Sequence, residues 1–377
     1  MEFLKQFTPN LIVESPGRIN LIGEHTDYNL GFALPTAIEK KIIFRFQKNK
    51  AENQCNVYSA GFNAGLSFNL QAIRKSDTEW ENYILGVICE ISKRTTGLKG
   101  FDCTIESFVP QGSGVSSSAA LECGLAFGLN ELFNLGLTKR DIVELARDAE
   151  HTFVGTQCGI MDQFASVMSK EGHIILLDCN SLEHTYIPIH MEPYKIVLLN
   201  SNVSHNLASS EYNTRRTECE IGVSIIKKKY PQVSSLRDVT RTMLASCKHL
   251  MGRDIFNRCT YVVGENERVL NAVEAFKAND LNLLGTLLYK THHGLRKLYE
   301  VSCPEIDFLV DFSKPYDAVL GARIMGGGFG GCTINIVHAD KVESYVEEAS
   351  EAYYNTFHIH LTAFEALPSG GTSITYT

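Results

Sequence analysis

Among the eleven cysteines of this 377-residue chain there is no Cys-x₂-Cys pair, and no two stand closer than 12 residues apart. That spacing excludes a zinc ribbon and a thioredoxin-type redox pair. The number is odd, and most of the thiols lie in apolar company, as in Phe101-Asp102-Cys103-Thr104-Ile105. They read as buried free thiols of a reducing compartment. Long hydrophobic runs are also missing. The longest aliphatic stretches, Ile174 to Leu177 and Ile196 to Leu199, fall far short of the roughly 20 residues a membrane helix needs. The opening MEFLKQFTPN has no apolar signal region, so a cytoplasmic protein without a membrane partner is expected. Positive charge is scarce. With 35 Lys and Arg against 43 Asp and Glu, the formal net charge is −8, which argues against a nucleic-acid partner. An anionic ligand would have to be held by local groups, because the overall field repels it. Proline-rich linkers, low-complexity tracts and fixed-period repeats do not occur.

What remains is ordinary globular composition, 44% hydrophobic and 21% charged, over a length that suggests two domains. Lys41 to Phe46 reads as a strand, and Glu79 to Arg94 as a helix with Tyr83, Val87, Ile88 and Ile91 at helical spacing. Phe101 to Ser107 alternates like a half-buried strand and runs through a glycine-serine loop into a helix over Ser117 to Phe133. Thr138 can cap a further helix that buries Ile142, Leu145, Ala149 and Phe153. Beyond Gly172, HIILLD and YKIVLLN are strand-like, and helices are expected near Ser209 to Lys229, Glu265 to Lys277, Asp280 to Tyr299 and Asp340 to Phe357. Strands near Thr333 to His338 and His358 to Ala363 complete this half. Strands mixed with helices in both halves indicate an α+β or α/β protein divided near residues 172–195.

The familiar phosphate-binding patterns sort the glycine-rich stretches. No Gly-Lys dipeptide occurs, which excludes a Walker A loop, and the His-Arg-Asp and Asp-Phe-Gly triplets of protein kinases are absent. Gly326-Gly327-Gly328-Phe329-Gly330-Gly331 matches the dinucleotide pattern formally, but strand-like Cys332 to Val337 follows where a helix should open. Pro110-Gln111-Gly112-Ser113-Gly114-Val115-Ser116-Ser117-Ser118 has a strand before it and a helix after it. Its glycines let the backbone turn several N–H groups toward one point, and the helix start adds donors and the positive dipole end. Ser116, Ser117 and Ser118 offer hydroxyls for hydrogen bonds or a Mg²⁺ ligand. A polar turn capped by serine is the plainer alternative.

Two further stretches carry functional groups. Ser15 to Tyr28 packs Arg18, Asn20, Glu24, His25 and Asp27 around two glycines. A sugar site needs such a mixture, because carboxylates grip pairs of hydroxyls while Asn and His complete the set, although a surface loop could also hold it. In Cys158-Gly159-Ile160-Met161-Asp162-Gln163-Phe164, Asp162 by itself reads as a helix cap. Glu150 sits at the side of a buried helical stripe, where a solvated charge is the first local reading and a metal ligand the second. His358 and His360 alternate on a strand without a third ligand, and His292-His293 is an adjacent pair, so neither is expected to bind metal.

Taken together these stretches resemble the GHMP small-molecule kinases and, within them, the galactokinase family. The motifs are PGRINLIGEHTDYNLGFALP at 16–35, PQGSGVSSSAA at 110–120 and GARIMGGGFGGCT at 321–333. EWENYILGV at 79–87, CGIMDQFAS at 158–166 and NSNVSHNLASSEYNTRR at 200–216 add to them, in order along nearly the whole chain. Met325 stands where the family usually has threonine, and the closing PSGGTSITYT is only loosely similar. The resemblance implies an α+β chain with the two-domain GHMP kinase fold and the active site in the cleft between the domains. Residues 1–180 would form an N-terminal ribosomal-protein-S5-domain-2-like domain. Residues 181–377 would form a ferredoxin-like α/β domain, the last of them able to return to the first domain.

By position, the resemblance implies that Gly112, Ser113, Gly114, Val115, Ser116, Ser117 and Ser118 hold the phosphates of ATP. It implies Ser118 and Glu150 as Mg²⁺ ligands, Asp162 as catalytic base and Arg18 as its partner. Glu24, His25, Asp27, Gly159 and Tyr212 match sugar-binding positions, and a monomer is the family expectation. The implied reaction moves the γ-phosphoryl of MgATP to the C1 hydroxyl of α-D-galactose, giving galactose 1-phosphate and ADP, the first phosphorylation of the Leloir pathway. A kinase for a modified galactose, such as N-acetylgalactosamine or galacturonic acid, would share the N-terminal motif. A non-catalytic sensor of galactose and ATP is the alternative from another class, and the intact loop with Asp162 and Glu150 argues against it.

Overall fold

The computed structural model describes residues 2–110, 112–204 and 208–377; Gln111 of the glycine-serine loop and residues 205–207 of the 200–216 stretch lie outside the described residues. Strands β1 (Leu11–Asn20), β2 (Phe32–Ala33) and β3 (Pro35–Lys48) begin the fold, and β1 runs antiparallel to β3 with Leu11 opposite Phe46 and Val13 opposite Phe44. β4 (Gln54–Ser59) and β5 (Ala64–Asn69) make a hairpin, α1 (Glu79–Arg94) follows, and β6 (Phe101–Ser107) slots between β3 and β4. Helices α2 (Ser117–Phe133), α3 (Lys139–Ala149) and α4 (Met161–Met168) come next. α2 and α4 pack on β1 and β3, with α1 and α3 against α2. A Cβ on Gly124 would stand 2.2 Å from the Phe44 ring and one on Gly128 2.1 Å from that of Phe46, so α2 lies this close to the sheet only with glycine there. Thr138 caps α3 reciprocally with Asp141, and the helix runs on through a π turn, Glu150–Val154.

β7 (His173–Asp178) and β8 (His184–Pro188) form a small sheet with β2. Then come β9 (Tyr194–Ser204), α5 (Ala208–Lys229), α6 (Arg241–Cys247), α7 (Arg253–Lys277), α8 (Leu281–Gly294), α9 (Pro304–Ser313), β10 (Val319–Ile324), β11 (Gly330–His338), α10 (Val342–Phe357) and β12 (Thr362–Glu365). Their strands make an antiparallel sheet in the order β10-β11-β9-β12. β13 (Pro368–Ser369) and β14 (Ser373–Tyr376) then pair with β3 and β1, so the last residues close the first sheet. One apolar cluster joins Phe44, Phe46 and Leu125 to Leu198, Ile334 and Ile336, which ties the two large sheets into a continuous core.

Two expected elements differ. α7 begins at Arg253 instead of Glu265, and Arg258 and Tyr261, whose polar groups obscure the apolar pattern of its first turns, are themselves buried. Arg258 is buried because Glu218, Glu300 and the Leu298 carbonyl accept its hydrogen bonds. The strand expected from His358 starts only at Thr362: His358 ends α10 in the left-handed region (φ 57°), and His360 stacks on Tyr354. The two histidines therefore share no strand face. All eleven cysteines are free thiols, nine of them buried.

Candidate active site

A cavity of about 220 Å³ opens where the stretch after β1 meets the π turn, the start of α4, α5 and the glycine run before β11. Arg18, Glu24, His25, Asp27, Glu150, Asp162 and Tyr212 line it, together with Thr156, Cys158, Met161 and Gly326 to Gly328.

Arg18 grips Asp162 with two parallel hydrogen bonds, from Nε to Oδ1 and from Nη2 to Oδ2, each 2.7 Å. Its Nη1 donates to the Gly114 carbonyl at 2.6 Å, and its backbone N–H to that of Val115 at 3.0 Å. One side chain therefore fastens the start of α4 to the glycine-serine loop, and the bidentate geometry fixes the carboxylate in rotation as well as position. The loop turns through Gly112 (φ 68°), Gly114 (φ 74°) and Ser116 (φ 56°), all in the left-handed region. Ser116 Oγ donates to Asp162 Oδ2, while Ser113 is buried and donates to the Pro110 carbonyl. Asp162 does not cap its helix, as the local reading had it; Arg18 and Ser116 take its oxygens.

The other residues of the N-terminal motif are buried at the far wall. Glu24 accepts from the Gly326 N–H at 2.9 Å and from Arg323 Nη1 at 3.0 Å on the same oxygen, Oε1. His25 shares a 2.8 Å hydrogen bond with the Tyr28 hydroxyl through Nδ1, and Nε2 faces Gly327 without a well-formed partner among the described residues. Burial first and then the charge of Arg215 push His25 down to about 3, so the imidazole is neutral. Burial first and then the charge of Asp162 push Asp27 up to about 6. Gly159 lies behind Asp27, where a Cβ would stand 1.9 Å from Asp27 Oδ2; only glycine permits this approach. The Tyr212 ring lies 5.3 Å from both His25 and Tyr28.

Glu150 is buried, contrary to the solvated reading of its helical stripe. Gln163 Nε2 donates to its Oε2 at 3.0 Å, and the Cys158 thiol approaches the same oxygen at 3.5 Å. Burial, and after it the charge of Asp162, raise its pKa. Glu122 beside it is fully buried, with Oε1 unpartnered among the described residues, and burial and then the charge of Glu150 raise its pKa well above the ordinary value. Ser117 and Ser118 face a different space, a groove of about 490 Å³ lined also by Gly112, Phe62, Trp80 and Tyr83. Phe62 and Trp80 stack there at 5.5 Å. No hydrogen bond joins Ser118 to Glu150 among the described residues, so the two expected metal ligands belong to neighbouring spaces.

Arg323, inside the 321–333 motif, is a further side chain behind this wall, holding Glu24. A lone charge between Ala322 and Ile324 in an apolar strand was the available signal, since a buried charge needs a partner. Met325 is buried with its side chain in the core, and its carbonyl faces Gly114. At this corner the motif meets the loop through its backbone.

Residues 1–48 match the galactokinase galactose-binding signature, residues 82–170 the GHMP kinases N terminal domain and residues 272–355 the GHMP kinases C terminal family. Galactokinase of Thermosipho africanus is 44% identical over 95% of this chain and 98% of its own. That of Chloroflexus aurantiacus is 41% identical over 92% of this chain and 88% of its own. Among solved structures, Lactococcus lactis galactokinase complexed with galactose superposes with a TM-score of 0.94 at 32% identity, covering 99% of this chain and 97% of that one. Methanococcus jannaschii mevalonate kinase shares the fold alone, with a TM-score of 0.66 at 19% identity over 95% of this chain and 98% of its own. The chain has the two-domain GHMP kinase fold and belongs to the galactokinase family.

Proposed function

We propose that this chain transfers the γ-phosphoryl of ATP to the C1 hydroxyl of α-D-galactose, releasing galactose 1-phosphate and ADP. The observation that carries the reading is Asp162, a carboxylate at the wall of a small polar cavity and hydrogen-bonded to a serine of the glycine-serine loop. A sugar hydroxyl on the cavity side and a phosphoryl group at the loop would meet there. Phosphoryl transfer depends on aligned oxygens and neutralised charge more than on covalent chemistry. Asp162 orients the C1 hydroxyl and accepts its proton, and Arg18 fixes Asp162 and lends positive charge to the transferring group. Glu24, His25, Asp27 and Tyr212 hold the sugar, and Gly159 leaves room for Asp27. Neutral His25 can donate or accept toward a hydroxyl through Nε2, which faces Gly327. Loop N–H groups from Gly112 to Ser118 hold the phosphates. The base of ATP stacks in the Phe62 and Trp80 groove, which adjoins the loop at Gly112.

Magnesium suits the donors present. Glu150 offers hard oxygen donors at the cavity wall beside Asp162, and a cation bound there would favour its ionised form. The described residues contain no group of three or more His, Cys, Asp or Glu able to hold a metal unaided. Mg²⁺ ordinarily takes one or two protein oxygens and completes its shell with phosphates and water. Glu150 and Ser118 would hold it, and bound there it supplies charge neutralisation to the phosphates. We further propose a division of the chain near residue 180 and a cytoplasmic monomer, since the cavity is complete within one chain. Among the described residues no helix is long and apolar enough to cross a membrane.

ADP release measured with MgATP and a panel of sugars tests the reading. Galactose-dependent ADP is expected. Preference for N-acetylgalactosamine or galacturonic acid would move the assignment to a modified galactose, and binding of galactose and ATP without ADP release would make the chain a sensor.

A further inference from the structure

A second cavity, of about 510 Å³, lies among α7, α8 and the end of α9. Arg268, Lys290, His293 and Lys314 line it with Thr286, Tyr289, Gly294 and Leu298, and no carboxylate is among them. Lys314 is paired with Asp311 just outside the lining at 2.6 Å, and Arg268 with Glu265, so the uncommitted donors of the cavity are those of Lys290 and His293. Lys290 and His293 have no side-chain partner among the described residues. Arg268 spends Nε on Glu265 at 2.6 Å and leaves Nη2 buried with no acceptor among the described residues. That nitrogen lies 3.5 Å from where a Cβ on Gly294 would stand, just behind the cavity wall. A buried donor without an acceptor is costly, and a small rotation of the guanidinium would carry it to an acceptor in the cavity.

We propose that this cavity binds a phosphomonoester, its dianionic group among Arg268, Lys290, His293 and Lys314 and its organic part against Leu298 and the Tyr289 ring. Occupancy is felt at the N-terminal motif. Glu265, the partner of Arg268, is fully buried and accepts the Gly23 N–H at 2.9 Å. The Arg268 guanidinium also lies 5.6 Å from the Tyr261 ring, whose hydroxyl donates to the Glu24 carbonyl at 3.0 Å. An anion that draws Arg268 toward itself loosens its hold on Glu265 and changes the charge beside Tyr261, and both grip the backbone of Gly23 and Glu24. The coupling rests on Glu24 being a sugar contact; the anion site does not.

The test is calorimetry on the full chain with the glycine-serine loop blocked by Mg²⁺ and a non-hydrolysable ATP analogue. Inorganic phosphate, phenyl phosphate and galactose 1-phosphate are titrated separately to distinguish the source of the phosphoryl group. Lys290→Glu/Lys314→Glu changes two exposed side chains, and Lys99→Glu is a charge-reversal control elsewhere on the surface. At least one of the three should bind the wild type, about tenfold more weakly to the double variant, and unchanged to the control. Saturating phenyl phosphate or inorganic phosphate should then shift galactose Kd by about fivefold in the wild type and not in the double variant. Failure of all three to bind, or equal binding to wild type and double variant, overturns the site. Binding lost in the double variant with galactose Kd unmoved in the wild type overturns the coupling while leaving the anion site.

Discussion

Arg323, with no exposed surface, donates to Glu24 across 299 residues of sequence. Its remaining N–H groups reach the carbonyls of Asn20, Leu21 and Ile324, so β10 clamps the end of β1 and the segment that follows it. Removing the cation alone strands a buried carboxylate. Arg323→Met should cost about 3–5 kcal/mol by denaturant unfolding. Adding Glu24→Gln should recover part of that loss, because the second change removes the uncompensated charge. An unaltered denaturation midpoint in Arg323→Met would show that the pair contributes nothing to stability.

Asp162→Asn keeps the shape of the side chain but removes the carboxylate proposed to accept the proton. ATP and galactose binding should stay within a few-fold of wild type, since the cavity and the loop keep their other contacts. Turnover should fall by about 10²–10⁴-fold, roughly 3–5 kcal/mol of barrier. Initial rates at saturating substrates check it, and near-normal turnover would remove Asp162 from the chemistry.

Glu150→Gln should raise the Mg²⁺ concentration needed for half-maximal rate while leaving galactose affinity unchanged. Burial and the charge of Asp162 already disfavour its ionised form, so the neutral amide is tolerated structurally. An unchanged Mg²⁺ titration would assign Glu150 to the hydrogen-bond network of Gln163 alone.

Local pattern made much of the N-terminal sheet legible. α1, α2 and β6 lie where periodicity and the loop signal put them, and Thr138 caps its helix through the residues a capping box requires. Periodicity failed at Arg258 and Tyr261, where polar atoms are buried by long-range partners that no window of sequence contains. The site divides in the same way. Residue types suited to sugar and phosphate were readable in their stretches, but Arg18 meets Asp162 over a separation of 144 residues, which only the resemblance could join. Arg323 is a buried charge whose carboxylate partner comes from the other end of the chain, and Glu265 takes Arg268 from its own helix but the Gly23 N–H from the far end, so these contacts to the N-terminal motif are properties of the fold.

Asp27 and His25 give the pH dependence opposite signs. The folded pKa of Asp27, about 6, lies above its ordinary 3.8. The folded chain therefore favours the protonated acid, and stability is lost as pH rises from about 4 to 6, by about 3 kcal/mol. His25, lowered from 6.5 to about 3, favours the neutral base, so its contribution is lost as pH falls through that window. The two offset each other in the wild type. In Asp27→Asn the first contribution disappears, so urea unfolding should show the variant gaining on wild type between pH 4.5 and 7.5. Galactose affinity of the wild type should weaken as pH falls below about 6, where Asp27 ceases to be a full acceptor for hydroxyls. His25 stays neutral there and adds no slope of its own. A stability difference between wild type and Asp27→Asn that is constant across the range would mean that Asp27 is ionised at both ends of it, and that its burial is compensated by a partner.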